Sequence, residues 1–196
     1  MSTALLLIDV QQSFLHRPYW SDSDAAPFLA ATNALLAGAC AQGLPVVRVL
    51  HVDGPQTPAN PFAHASGHVR PLDGLMPFDA ALTIEKHRHS ALVGTGLAAW
   101  LRERGIRRVI VAGIRTEQCC ETTTRHASDE GWDVDFVGDA TLTFAMTTPA
   151  GATLSAAAIR ERTETVLAGR FCTLATVEQA LARAAAADAT APVAPA

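Results

Sequence analysis

Val109-Ile110-Val111-Ala112-Gly113-Ile114-Arg115-Thr116-Glu117-Gln118-Cys119 is the stretch whose reading decides the fold. Its first six residues are apolar or glycine with no alternation, the pattern of a strand buried on both faces of a parallel sheet. Thr116 can cap a helix running from about residue 117 to Gly131, which places Cys119 in the first helical turn. A buried strand passing directly into a helix is half of a βαβ unit, so the neighbouring segments should repeat the pattern.

They do. Residues 4–8 form a second continuous apolar run, ended by Asp9. From Asp24 the period becomes helical, with Phe28, Thr32, Leu35, Leu36 and Ala39 on one stripe and Gly43 as the stop. Residues 45–50 read as strand two and 81–84 as strand three, leading into Glu85-Lys86-His87-Arg88-His89-Ser90. Thr95 can cap a helix carrying Leu97, Trp100 and Leu101. Residues 134–137 make strand five, closed by Asp139, and 152–168 a helix. A short strand at 171–174 precedes Thr176-Val177-Glu178-Gln179, a capping box. This order predicts a three-layer, doubly wound α/β fold, with a mainly parallel six-stranded sheet and helices on both faces. One domain is expected over residues 1–183, followed by an Ala/Pro-rich tail at 184–196 that frays.

The 196 residues are 49% hydrophobic and 17% charged, with net charge -4. That composition excludes a disordered chain, and it carries no basic run to meet nucleic acid phosphate. No apolar stretch is long enough to span a bilayer. The opening Met1-Ser2-Thr3-Ala4 has no basic n-region and reads as the approach to a strand, not a signal peptide. Four cysteines without CxxC spacing point to a reduced, cytoplasmic setting.

The fifteen Lys and Arg residues comprise fourteen arginines and one lysine, Lys86. A lone lysine in such a chain marks either chance or a position that needs a compact ammonium. Ligands in doubly wound sheets sit at the carboxyl ends of the strands. Asp9, Lys86 and Cys119 all fall there. At a helix start beside an ammonium, the Cys119 thiol is expected to favour its thiolate, and the first-turn N–H groups can hold an oxyanion. The alternative is a small buried hydrophobe, which is the reading taken for Cys40, Cys120 and Cys172. Asp139 reads as an ordinary loop carboxylate.

Leu6-Leu7-Ile8-Asp9-Val10-Gln11-Gln12-Ser13-Phe14 resembles the DxQxxF opening of the isochorismatase-like cysteine hydrolases. Lys86 with Ser90-Ala91-Leu92 and Gly94-Thr95-Gly96-Leu97 is similar to that family's KxxxSAFxxTxL motif, and residues 111–119 to its VxGxxTDxC motif. The resemblance covers roughly residues 3–182. It implies a catalytic triad of Asp9, Lys86 and Cys119. It also implies a non-proline cis peptide between Ile114 and Arg115, and an oxyanion hole from the backbone N–H groups of Arg115 and Cys119. Substrate contacts are expected from Gln11, Phe14 and Arg115, Arg115 standing where the family often has a small residue. The pocket is expected between residues 19–20 and the proline-rich loop 51–77.

The expected activity is amide or related C–N hydrolysis through a thioester. The alternatives are a vinyl-ether hydrolase using Asp9 as acid, as in the isochorismate-cleaving branch that lacks the cysteine, and a non-catalytic thiol sensor. The metal-binding nicotinamidase branch carries Asp-x-His after strand two; here the order is reversed in His51-Val52-Asp53, with His64 and His68 following. No metal and no cofactor are therefore expected. The expected partners are a small-molecule substrate and other copies of the chain, in a dimer or tetramer, with neither nucleic acid nor membrane.

Overall fold

A computed structural model describes residues 2–189. Six strands form one sheet: β1 (Thr3–Ile8), β2 (Val46–His51), β3 (Leu82–Lys86), β4 (Arg108–Ile114), β5 (Asp133–Leu142) and, after two short strands, β8 (Thr173–Leu174). Their order is β3-β2-β1-β4-β5-β8, and every pairing is parallel. The remaining two, β6 (Met146–Thr147) and β7 (Thr153–Leu154), form a separate antiparallel hairpin. No helix among the described residues is long and apolar enough to cross a membrane.

Alternation along β1 divides the core in two. Leu5 and Leu7 face α1 (Ala25–Ala41) and α5 (Val177–Ala189), together with Ile110 and Ala112. Ala4, Leu6 and Ile8 face the opposite layer, packing with Val47, Val49 and Val111 under α2 (Leu97–Glu103) and α3 (Glu121–Asp129). Both faces of a parallel strand are thus apolar because helices cover both. The buried residues of α1 are Phe28, Thr32, Leu35, Leu36 and Ala39, the stripe read from its period. The capping box closes both ways: Thr176 Oγ1 accepts from Gln179 N and Gln179 Oε1 accepts from Thr176 N.

Several boundaries differ from expectation. Strand β5 does not close at Asp139 but runs ten residues to Leu142, because a register shift opposite Val111 and Gly113 lets its second half pair with Gly113 and Ile114. The helix expected from residue 152 begins at Ala156 as α4 (Ala156–Leu167), since Thr153 and Leu154 join the hairpin and Ser155 accepts the N–H of Ala158. Residues 184–189, expected to fray, are helical instead. Ala184 is fully buried and α5 continues to Ala189; residues 190–196 lie outside the described residues. Cys172 and Cys120 are buried as expected, but Cys40 is exposed, lying on the solvent side of α1.

Candidate active site

Four adjacent strands end at one point. Asp9 follows β1, His51 and Lys86 are register partners closing β2 and β3, and Cys119 lies just beyond β4. The sheet order reverses direction between β1 and β4, so Asp9 and Cys119 flank the switch point where α/β sheets open a crevice. Gly113 allows that approach. It adopts φ 133°, and a Cβ there would stand 1.9 Å from the Ile8 carbonyl oxygen. Asp9 itself takes φ 52°, which turns its carboxylate away from the strand direction.

Lys86 is the hub of the site. Its ammonium lies 2.7 Å from Asp9 Oδ2, donates to Cys119 Sγ at 3.3 Å and to His51 Nδ1 at 2.9 Å. Both Asp9 and Lys86 are fully buried. Burial works to lower the Lys86 pKa, but the Asp9 carboxylate and Cys119 outweigh it and hold the group protonated. For Asp9, burial wins over the attraction of Lys86 and its pKa is raised. His51 is pushed down to about 4 by burial and by the nearby ammonium, so it is neutral and accepts from Lys86.

Cys119 departs from the expected thiolate. Burial, with the Asp9 charge adding and Lys86 opposing, pushes its pKa up to about 12. The opening turn, Thr116–Cys120, is wound as a π-helix, and burial of the sulfur outweighs the pull of the helix start and of Lys86. Thr116 does not cap it; its hydroxyl donates to Thr141 Oγ1 at 2.9 Å instead. The resting group is therefore a thiol beside a carboxylate of raised basicity. The Asp9 carboxylate is hydrogen-bonded to both Lys86 and Cys119.

Above the sulfur opens a cavity of about 340 Å³, whose walls include Phe14, Tyr19, His51, Phe62, His89, Gln118 and Cys119. Arg17, Asp53 and Asn60 lie at its rim. Phe14 lines it as expected, edge-on to Phe62 at 5.1 Å. Gln11 and Arg115 do not. The Gln11 amide is consumed by the backbone of His51 and by Ser13. Arg115 turns its guanidinium to Glu117, at 2.8 Å, and lies over the Tyr19 ring at 4.8 Å. Both support the wall from behind. The Ile114–Arg115 peptide is cis.

His89 had no assigned role in the sequence, yet its Nδ1 lies 3.8 Å from Cys119 Sγ. No spacing rule marks it, since it sits in the irregular turn after β3. His51 stood out only as a metal ligand, and the histidines named for that purpose do not converge. His64 pairs with Glu85 at 3.0 Å and His68 stacks on His16 at 3.6 Å. Asp9, His51 and Cys119 do bring ligand atoms within 4.8 Å of one another, but the Lys86 ammonium bonds to all three. The donor set is already satisfied by an organic cation and does not fit a metal.

A doubly wound parallel domain with a cysteine, a carboxylate and a buried ammonium at its switch point defines a class of hydrolase. Residues 3–179 match the isochorismatase domain model, and the chain belongs to the isochorismatase family of hydrolases. The structure of an isochorismatase-family protein from Burkholderia xenovorans LB400 superposes with a TM-score of 0.84 at 31% identity, covering 98% of this chain and 90% of that one. The uncharacterized isochorismatase family protein YrdC of Bacillus subtilis is 26% identical over 90% of this chain and 92% of its own. Ureidoacrylate amidohydrolase RutB of Pseudomonas syringae is 25% identical over 69% of this chain and 67% of its own.

Proposed function

We propose that this hydrolase cleaves a small amide or related C–N bond by way of a thioester on Cys119. The observation that carries the reading is the single ammonium of Lys86 bonded at once to Asp9, at 2.7 Å, and to Cys119, at 3.3 Å, with the sulfur on the cavity wall. Asp9, whose carboxylate is hydrogen-bonded to the Cys119 side chain, takes the thiol proton. Lys86 holds the thiolate as it forms, which offsets the high resting pKa of the thiol. The sulfur attacks the carbonyl carbon, and the backbone N–H groups of Arg115 and Cys119 receive the oxyanion. The proton on Asp9 passes to the departing amine or ammonia as the C–N bond breaks, and water then hydrolyses the thioester.

A vinyl-ether substrate would need Asp9 as acid and no nucleophile; the position of Cys119 favours acyl chemistry. The relationship to a ureidoacrylate amidohydrolase supports the same class. The test is ammonia release from a panel of small amides, with acid-quenched enzyme analysed by mass spectrometry. An acyl group on the Cys119 peptide is expected. Turnover retained in Cys119→Ala would overturn the reading.

A further inference from the structure

We propose that His51 and Asp53 form a substrate-recognition subsite on the cavity wall, built for an uncharged group that both accepts and donates a hydrogen bond, a second carboxamide beside the scissile amide. This rests on the Cys119 amidase reading and deepens it to a substrate class.

The proton count at Lys86 fixes the tautomer of the histidine. An ammonium has three N–H donors and no acceptor. All three are committed, to Asp9 at 2.7 Å, to Cys119 at 3.3 Å and to His51 Nδ1 at 2.9 Å. Nδ1 therefore carries a lone pair. Because His51 is neutral, with its pKa at about 4, its proton sits on Nε2. The ring lines the cavity, and among the described residues the oxygen paired with Nε2 is Asp53 Oδ2, at 3.9 Å. That is beyond hydrogen-bond reach.

Asp53 is held in its turn. Its N–H donates to the Phe62 carbonyl at 3.1 Å, its carbonyl accepts from Asn60 Nδ2 at 2.6 Å, and its Oδ1 accepts from Gly54 N at 2.8 Å. Among the described residues no donor bonds to Oδ2. The wall thus presents a donor and an acceptor 3.9 Å apart, neither of them used by the protein. A carboxamide satisfies both, its oxygen accepting from His51 and its NH2 donating to Asp53. A carboxylate satisfies the first and is repelled by the second, and an apolar group strands both. One imidazole nitrogen of His51 stands within 4.8 Å of Cys119 Sγ, so the recognised group is carried close to the scissile carbonyl.

Three amides of similar size test this: malonamide, malonamate and 3-methylbutanamide, which carry a carboxamide, a carboxylate and an isopropyl group at the same place. Initial rates of ammonia release give kcat/KM for each. Wild type should prefer malonamide to the other two by roughly 10- to 100-fold, the worth of a hydrogen bond to a charged group. Asp53→Asn keeps the bond to Gly54 and replaces the free acceptor with a donor, so the order of malonamide and malonamate should invert. His51→Asn keeps an acceptor for Lys86 but has no donor where Nε2 stood. Its turnover falls with the disturbed lysine, and its preference for malonamide over 3-methylbutanamide should be lost. The ratios are the readout, because a merely structural role of either residue would lower all three rates together. A wild type that does not prefer malonamide, or ratios unchanged in either variant, would overturn the subsite and leave the amidase reading intact. No ammonia from any of the three, with no acyl group on Cys119, would overturn that reading and the subsite together.

Discussion

Gln11 brackets the peptide of His51 with both ends of its amide, accepting from His51 N at 2.7 Å and donating to His51 O at 3.0 Å. The loop after β1 is thereby locked to the end of β2, and the imidazole that receives Lys86 is held in place. Gln11→Ala should leave two backbone groups unpaired in the interior, at about 1–3 kcal/mol each. Urea denaturation should show that loss, and turnover should fall because the lysine loses a fixed acceptor. Wild-type stability in this variant would show that the bracket is not needed.

Lys86→Arg should lose activity by roughly 100-fold or more, as when a preorganised donor is removed. The ammonium meets Asp9, His51 and Cys119 in three directions within a fully buried site, and a planar guanidinium cannot reproduce that arrangement. Lys86→Met should also destabilise the fold by about 3–5 kcal/mol, because it strands the Asp9 charge. Steady-state kinetics and thermal melting separate the two effects.

The alkylation of Cys119 by iodoacetamide should be slow at pH 7 and accelerate as pH rises, since the thiol is held at about 12 by burial and by Asp9. Removing the Asp9 charge while leaving Lys86 lowers that pKa. Asp9→Asn should therefore be alkylated faster than wild type at pH 8 although it turns over no substrate. Cys120, fully buried and with its thiol pKa raised by that burial, should remain unlabelled in both. Slower alkylation of Asp9→Asn would show that the Asp9 charge does not raise the thiol pKa.

Gly113→Ala should not yield a native fold. The added methyl carbon meets the Ile8 carbonyl, a backbone atom that no rotamer can move, and φ 133° is unfavourable for any Cβ. Soluble expression and circular dichroism decide this directly; a melting point within a few degrees of wild type would refute it.

Treatment with EDTA should change neither activity nor melting temperature, and elemental analysis should find no stoichiometric transition metal. The reason is the ammonium that already satisfies Asp9, His51 and Cys119. A metal lost together with activity in His51→Ala would contradict it.

Much of this was legible in the chain alone, for a physical reason. Strands covered on both faces must be continuously apolar, so residues 4–8 and 109–114 announced the parallel sheet, and the α1 stripe announced which side it buries. Asp9, Lys86 and Cys119 were visible as polar groups at strand ends, where an apolar run has no other use for them. Tertiary structure alone decided what those groups do to each other. A thiol's pKa depends on burial and on the balance of Asp9 against Lys86, and neither is a property of sequence position. The roles of Gln11 and Arg115 turned on which way each side chain points. The placement of His89 on the sulfur came from an irregular turn without a period to read. Local patterns specify elements because the forces are local; the site joins the ends of four strands, and only their packing sets its distances and charges.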